Sequence, residues 1–190
     1  MRFTQSELAA YRGAVVDDLI GDNCRLLFVG INPSLWTAAT GAHFARPGNR
    51  FYPALYRAGI LDRLIDASNG YAVADREMLL RRGIGITNLA PRATARADEL
   101  TPDELRDGTQ RLLDTVRTVA PRVVAVAGIT AYRTAFRRPK AVTGEQDEQL
   151  AGAPLWIVPN PSGLNAHDTV DSLAAAYRRV GQAAGILDAA

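Results

Sequence analysis

The sequence is poor in the side chains that bind metals or form disulfides. Its 190 residues include one cysteine, Cys24, and two histidines, His43 and His167. A single cysteine excludes an internal disulfide, a structural zinc site and a four-cysteine iron–sulfur cluster. Two histidines also give little basis for a catalytic metal site. We therefore expect chemistry that uses no metal and no cofactor.

Long hydrophobic runs are missing as well. No apolar run approaches the length that crosses a bilayer, and the N-terminal residues lack the apolar core of a secretory signal. A hydrophobic content of 47% with 22% charged residues is typical of soluble globular proteins. The length predicts one domain over residues 1–190. We expect a cytoplasmic monomer without membrane contact, associated with the nucleoid if the source is bacterial.

Lysine is nearly absent, and acidic side chains are absent from one long stretch. Lys140 is the single lysine among 22 basic residues, so the cations are almost all arginine. A GC-rich coding bias accounts for most of that excess, and a net charge of +2 is weak evidence for a nucleic-acid partner. Positions 24–60, however, contain no Asp or Glu, and their charged residues are Arg25, Arg46, Arg50 and Arg57. We expect a positive face there that suits a polyanion.

Apolar strand-like segments alternate with amphipathic helical ones along the chain. Strands are predicted at 25–29, 85–88, 122–127 and 155–158, and helices at 5–19, 50–58, 74–82, 102–120, 128–136 and 168–184. Ser6 is a candidate cap for the first helix, and the polar segment 138–150 is interpreted as a surface excursion. Since the strands are almost entirely apolar, both faces of the sheet should be covered. The pattern predicts an α/β fold, a three-layer α-β-α sandwich around a mainly parallel four-stranded sheet.

Two of the predicted strands end at an Asn-Pro pair. The run LLFVG is followed by Asn32 and Pro33, and the run LWIV is followed by Asn160 and Pro161. The carboxyl ends of parallel strands open onto the ligand crevice of such a sheet. We therefore expect the two Asn-Pro loops to meet at one site.

Asn32 has no titratable group, which limits the chemistry it can perform. A carboxamide is neither a general base near neutral pH nor a good nucleophile, but it can position a water by hydrogen bonding. Such weak activation suffices where the leaving group departs first, as in N-glycosidic cleavage through an oxocarbenium-like sugar cation. The alternative is an Asx turn in which Asn32 only stabilises the loop. These few residues alone favour the turn.

Three stretches together carry a resemblance to a known family. They are GINPS at 30–34, TGAHFARPGNRF at 40–51 and NPSGLN at 160–165, with a weaker fourth, GITNL at 85–89, followed by Arg92 and Thr94. In this order and spacing the chain resembles the mismatch-specific uracil/thymine DNA glycosylases, a branch of the uracil-DNA glycosylase superfamily. The likeness extends over about residues 25–177.

The resemblance implies roles for individual residues. Asn32 matches the asparagine that positions the water, and Thr87 is matched to a threonine that helps to hold it. Phe44 matches an aromatic residue that stacks on the extruded base. The remaining implied residues are Gly30 and Ile31 for substrate binding and Ser162, Gly163, Leu164 and Asn165 for DNA binding, with Gly163–Asn165 forming the wedge that enters the duplex. Apart from the resemblance, Thr37 and His43 are further candidates for substrate binding, and Arg46 and Arg50 for contact with DNA phosphates. For the two arginines, pairing with surface acids is the alternative. For His43, a bond to a backbone carbonyl outside the pocket is the alternative.

The implied activity is that of a monofunctional hydrolase initiating base excision repair of damaged DNA. It would flip uracil, or a related damaged base, out of double-stranded DNA and hydrolyse its N-glycosidic bond, with G·U as the expected context and G·T as a further candidate. Ser34 stands where the best-known members carry glycine, and Ala166 where an arginine is common, which bears on selectivity. One alternative is a non-catalytic module that binds mismatched or abasic DNA. Another is a nucleoside hydrolase, which needs carboxylates near the first loop.

Overall fold

The computed structural model describes residues 3–188 and contains one sheet flanked by helices. The ends of the predicted domain, residues 1–2 and 189–190, lie outside the described range. Within that range the strands are β1 (Leu26–Gly30), β2 (Ile84–Asn88), β3 (Val123–Ala127), β4 (Gly144–Leu150) and β5 (Ala153–Val158). The helices are α1 (Gln5–Ala9), α2 (Leu35–Thr40), α3 (Phe51–Arg57), α4 (Val73–Arg81), α5 (Pro102–Val119), α6 (Ile129–Ala135) and α7 (Val170–Ala183).

The sheet has the order β2-β1-β3-β5-β4, and only the pairing of β4 with β5 is antiparallel. Along β1, alternate side chains enter the two apolar cores. Leu26 and Phe28 pack into one, and Leu27 and Val29 pack into the other. Such double coverage explains why β1 and β3 are apolar throughout. The predicted α/β sandwich is confirmed.

The predicted number of strands is wrong, because segment 138–150 contains β4. Gly144–Leu150 forms the edge of the sheet, with its residues alternating between half-buried and exposed. An edge strand has a neighbouring strand on one side only and is partly exposed to solvent, so polar residues are tolerated in it. The sequence GEQDEQL lacks the apolar pattern by which the other strands were recognised. The sheet therefore has five strands among the described residues, not four.

The predicted N-terminal helix over 5–19 is also wrong in length. Helix α1 ends at Ala9, and its cap is Thr4, whose hydroxyl accepts from the Glu7 backbone N–H, rather than Ser6. Further along, Leu19 exchanges two backbone hydrogen bonds with Ile86, of 2.9 and 2.8 Å, on the outer side of β2. The chain thus becomes extended and covers the edge strand β2. No helix of the described chain is long and apolar enough to cross a membrane.

Candidate active site

A cavity of about 660 Å³ opens at the carboxyl ends of the parallel strands. Gly30, Asn88 and Ala127, the last residues of β1, β2 and β3, line it together with Pro159, which directly follows β5. Both Asn-Pro loops contribute to the lining, as their positions after β1 and β5 predict. Its volume lies within the range of about 300–1,000 Å³ that is usual for ligand sites.

The side-chain amide of Asn32 is held in one orientation at the wall of this cavity. Its Nδ2 donates to the backbone oxygens of Pro33 at 3.1 Å and Arg92 at 3.0 Å, and to the Thr94 hydroxyl at 2.7 Å. Since the two carbonyls can only accept, the amide nitrogen must face them. Thr94 in turn donates to the Arg96 carbonyl at 2.7 Å, so its oxygen accepts from Asn32.

This orientation leaves the Asn32 Oδ1 available to the cavity. Asn32 is half-buried, lines the cavity, and receives no hydrogen bond on Oδ1 from residues 3–188. An amide oxygen accepts hydrogen bonds without removing a proton. The arrangement can orient a water molecule, and the Asx turn considered as an alternative is not formed here, because that turn needs Oδ1 to accept from the backbone.

The loop that holds the Asn32 amide is itself anchored to helix α5. Arg92 forms an ion pair with Glu104, and its Nη2 donates to the Glu99 carbonyl at 2.9 Å. Hydrogen bonding from Arg92 lowers the pKa of Glu104 to about 2. Glu104 also completes the capping box of α5 with Thr101. A helix start thus fixes the two acceptors, Arg92 and Thr94, that orient the catalytic candidate.

The structure does not bring Thr87 to the cavity. On β2, Thr87 pairs in register with Val29, while Asn88 pairs with Gly30, so their side chains point to opposite faces. Thr87 is buried and interacts with Asp18, whose pKa is raised by burial, an effect that the Thr87 hydroxyl opposes. Thr94 is therefore the threonine in contact with Asn32. The resemblance assigned the role at the water to Thr87, whereas it is Thr94 that lines the cavity beside Asn32.

Phe44 lines the cavity and rests on a second aromatic ring. Its ring stacks on that of Phe51, the first residue of α3, with centroids 4.0 Å apart and an angle of 23° between the planes. The Phe44 backbone lies in the left-handed region at φ 54°, which is unusual for an aromatic residue. Packing against Phe51 holds it in this conformation. The half-buried ring provides a flat apolar wall for a planar ligand.

Gly30 and Asn88 form the floor beside this ring. A Cβ at Gly30 would lie 2.5 Å from Asn88 Oδ1 and 3.5 Å from Phe44 Cζ. A side chain at this position would therefore displace the Asn88 amide from the floor of the cavity. Asn88 is a cavity residue that the sequence did not single out, although its position at the end of a predicted strand was a usable signal. Ile31 lines the adjoining wall, and its Cδ1 lies near Gly128.

His43 combines the two roles that the sequence left open. Its side chain is 3% exposed, and Nε2 lies 3.0 Å from the Asp17 carbonyl, yet the residue lines the cavity. A carbonyl partner requires the proton on Nε2, so Nδ1 is an acceptor, 3.5 Å from Asn88 Nδ2. Burial lowers the pKa of His43, an effect that its bond to Asp17 opposes. The ring is therefore a neutral neighbour of Asn88.

Ser34 and Thr37 belong to the cavity wall but interact mainly with each other. Ser34 Oγ accepts from the Thr37 backbone N–H at 3.0 Å and caps helix α2, and the two hydroxyls are 3.1 Å apart. The serine at this position is thus used as a helix cap. Thr37 is buried, with its hydroxyl directed to Ser34.

The second loop presents an apolar side chain at the mouth of the cavity. Leu164 is 68% exposed, which is unusual for leucine, while Ser162 and Asn165 on either side are half-buried. A Cβ at Gly163 would lie 2.7 Å from the Gly48 carbonyl oxygen, so this loop packs directly on the segment before α3. All of these loop residues except Gly163 line the cavity. Ala166 and His167 are exposed beyond them.

The two arginines predicted to contact DNA differ in their environment. Arg46 is exposed at the cavity and makes no ion pair within the described part of the chain. Arg50 instead donates to three backbone oxygens of the second loop. Its predicted contact with a phosphate is therefore not supported, because Nη1 and Nη2 are bonded within the protein and Nε, which has no hydrogen-bond partner among the described residues, is buried.

The cavity is also less positive than the acid-free stretch at 24–60 suggested. Asp98 and Asp168 come from later parts of the chain and line the cavity with Arg46 and Arg96. Asp98 pairs with Arg96, and the Asp168 carboxylate accepts from the Asn165 and Ser172 side chains. The expected positive face is thus partly neutralised by folding. These engaged carboxylates are not free ligands for sugar hydroxyls.

With the fold and this geometry established, comparison with known proteins places the chain in a family. Residues 18–180 match the family model described as the uracil DNA glycosylase superfamily. The match covers most of the chain, and the chain belongs to this superfamily. Membership supports a hydrolytic DNA glycosylase, so the resemblance inferred from the motifs is confirmed at the level of the superfamily.

A solved structure shares the architecture. It is a solution NMR structure from Methanosarcina acetivorans of a protein provisionally named a uracil DNA glycosylase. The TM-score is 0.58, and the alignment covers 90% of this chain and 98% of that one at 17% identity. At this identity the likeness concerns the fold alone, and it agrees with the mixed, helix-flanked sheet.

Proposed function

We propose that this protein is a monofunctional DNA glycosylase that removes uracil from double-stranded DNA. The observation that carries the proposal is the fixed Asn32 amide, whose nitrogen has three partners and whose Oδ1 faces the cavity. A glycosylase whose leaving group departs before water attacks needs only an oriented water. Asn32 supplies an acceptor for it, and Thr94 keeps the amide in place.

The proposed reaction divides the work between Asn32 and the pocket floor. As the C1′–N bond breaks, its electron pair leaves with the base, and the sugar becomes oxocarbenium-like. The water held by Asn32 adds to C1′ and loses a proton to solvent. The Asn88 amide lies at the floor beside Phe44, where N–H donation to a polar edge of the stacked base would stabilise its developing charge.

The product of this reaction is an abasic site in an uncut strand. Cleavage of the strand by lyase chemistry requires an amine nucleophile. Lys140, the only lysine of the chain, does not line the cavity, although Thr143 three residues later does. We therefore expect no Schiff-base intermediate.

We further propose that the base reaches the cavity by flipping and that mispaired uracil is preferred. Extrusion of a nucleotide costs about a few kcal/mol and is cheapest for a mismatched base. The exposed Leu164 stands at the mouth of the cavity, where it can fill the space that the base vacates. This supports the mismatch-specific branch, with G·U as the first substrate.

One assay tests the proposal directly. Purified protein is incubated with duplexes that carry uracil, thymine, ethenocytosine or hypoxanthine opposite guanine or adenine. We expect release of uracil opposite guanine, with strand breakage appearing only after alkali. Tight binding of these duplexes or of abasic DNA, without release of any base, would instead identify a non-catalytic binding module.

A further inference from the structure

Arg50 connects the segment before helix α3 to the second loop. Its Nη2 lies 2.5 Å from the Ser162 oxygen and 2.7 Å from the Asn165 oxygen, and its Nη1 donates to the Asp168 oxygen. Its backbone N–H also donates to the Pro161 oxygen at 2.9 Å. One arginine therefore binds four backbone carbonyls spread over residues 161–168.

The same short segment supports the wall that receives the base. Phe51 follows Arg50 directly and stacks beneath Phe44. Two residues before Arg50, the Gly48 carbonyl lies against Gly163. Residues 48–51 thus contact both the pocket wall and the loop that carries Leu164. A shift of the loop that carries Leu164 is therefore transmitted to the pocket wall through the three consecutive peptide units of residues 48–51.

We infer that Arg50 is a positioning residue that holds the loop with Leu164 in the shape needed to enter DNA, and that it does so without contacting DNA. This inference rests on the proposed glycosylase function. Residues 159–168 have no helix or strand of their own, and the Arg50 side chain adds three carbonyl contacts to the hydrogen bonds that the loop makes within itself. A loop already ordered before binding avoids part of the entropic cost of insertion. The planar guanidinium suits this task because its donors are fixed relative to one another.

Three alternatives for Arg50 predict different measurements. If Arg50 bound a phosphate, its loss would reduce the salt dependence of DNA binding by about one phosphate contact. If it only stabilised the fold, its loss would slow the excision of every substrate to the same extent and would lower Tm. If it positions the loop, its loss affects substrates that require extrusion and spares those whose base is already unpaired.

The first experiment compares Arg50→Lys and Arg50→Met with the wild type on two substrates under single-turnover conditions. One is a duplex with a G·U pair, and the other carries the same uracil in a bubble of unpaired bases. We expect Arg50→Met to slow excision from the duplex by about tenfold or more, while excision from the bubble changes by less than about threefold. Arg50→Lys should give an intermediate rate of excision from the duplex, since a single ammonium group cannot reproduce the several fixed donors of the guanidinium. Equal losses on both substrates would overturn the inference.

Arg57→Met provides the matched control, because Arg57 is the last residue of α3, the helix that begins directly after Arg50, but it is exposed and within residues 3–188 forms an ion pair only with Asp171. It should behave as the wild type does. A double-mutant cycle with Leu164→Ala then tests the route of the effect. If Arg50 acts through Leu164, replacing Arg50 should add less than about twofold in the Leu164→Ala background. Full additivity, or a reduced salt slope for Arg50→Met, would contradict a role through the loop.

A readout without catalysis separates this inference from the proposed function. A duplex with 2-aminopurine beside an abasic site reports loop insertion by fluorescence. We expect the wild type and Arg57→Met to change this signal and Arg50→Met to lose at least half of the change. If these fluorescence results are obtained but the wild type excises no base, the positioning role of Arg50 is retained and the proposed glycosylase function is rejected. Normal excision with an unchanged Arg50→Met signal would reject the positioning role alone.

Discussion

The two Asn-Pro loops use the same dipeptide in opposite ways. At the first loop, the Asn32 amide nitrogen is bound by the protein, and its oxygen faces the cavity. At the second, the Asn160 Oδ1 accepts from the Ser162 backbone N–H at 3.0 Å, which is an Asx turn, while its Nδ2 has no hydrogen-bond partner within residues 3–188. The first loop thus presents an acceptor to the cavity and the second a donor.

This difference originates in the neighbours of each loop. Asn32 lies beside the 92–94 segment after β2, where the Arg92 carbonyl and the Thr94 hydroxyl accept from its amide nitrogen together with the neighbouring Pro33 carbonyl. Asn160 has no such partner and turns its oxygen back onto its own loop. An acceptor suits a water, and a donor suits an anionic oxygen. An Asn-Pro motif therefore indicates a function only together with the groups that fix the orientation of its amide.

The largest effect on excision is expected from a substitution in the first loop. Asn32→Ala removes the acceptor for water and should slow base release by about 100-fold or more, because misplacement of a reacting group has costs of that order. Binding to uracil-containing duplex should remain nearly intact. Single-turnover excision and a binding titration measure the two quantities. Asn160→Ala is the matched control and should retain excision from a bubble substrate.

The wedge of the second loop is expected to show the next largest effect. Leu164→Ala should weaken retention of the abasic product by about tenfold, since an exposed anchor buried only on binding is removed, and it should slow excision of an unpaired uracil far less. Product dissociation and bubble excision are the measurements. Because Leu164 is exposed in the free protein, Tm should not fall. Equal losses in retention and bubble excision would remove the basis for the wedge.

A smaller effect distinguishes the two threonines. Thr94→Val deletes one acceptor of the Asn32 amide and should slow excision about three- to tenfold, the equivalent of one ordinary hydrogen bond. Thr87→Val replaces a buried hydroxyl on the other face of β2 and should change excision from an unpaired substrate by less than twofold. The rate constants of both variants, with Tm as a check on folding, decide between the positions. The reverse order would restore the sequence-based assignment of Thr87.

The smallest expected effect is the dependence of folding stability on pH through His43. Because burial lowers the pKa of His43, the unfolded chain takes up a proton on this side chain at a higher pH than the folded chain does. Stability should therefore fall as pH decreases below about 6.5, the ordinary pKa of histidine, and level off below the folded pKa. A loss of about 1 kcal/mol corresponds to about 2–4 °C in Tm for a chain of this size.

Thermal unfolding between pH 5 and 8 measures this dependence. His43→Gln should flatten the profile, whereas His167→Gln, at an exposed position of the second loop, should leave it as in the wild type. An unchanged slope for His43→Gln would show that other groups control acid stability.

Much of the fold was predictable because buried parallel strands carry a clear apolar signal. β1 and β3 are apolar throughout, and α5 begins at Pro102, as predicted. The convergence of the two Asn-Pro loops followed from the parallel sheet. β4 was not recognised, because an edge strand exposed on one side can be polar, as its GEQDEQL sequence is.

The details of the site were predictable only in part. The strand ends indicated where Asn32 would lie, but not which of its amide atoms would face the cavity, since that depends on partners 60 residues away. Whether Thr87 or Asn88 lines the cavity depends on the face of β2, and a one-residue difference reverses it, while Thr94 lies on the segment after this strand. The sequence analysis predicted that Arg50 contacts DNA. Its actual partners, the backbone carbonyls at positions 162, 165 and 168, could not be predicted because such contacts leave no trace in the local sequence.

The two edges of the sheet are protected by different means, which bears on how the protein behaves at high local concentration. The β2 edge is covered by the extended segment through Leu19, and the β4 edge carries exposed Glu145 and Asp147. Covered or charged edges resist pairing with strands of another copy. Copies that are brought close together should then not adhere to one another through their sheet edges.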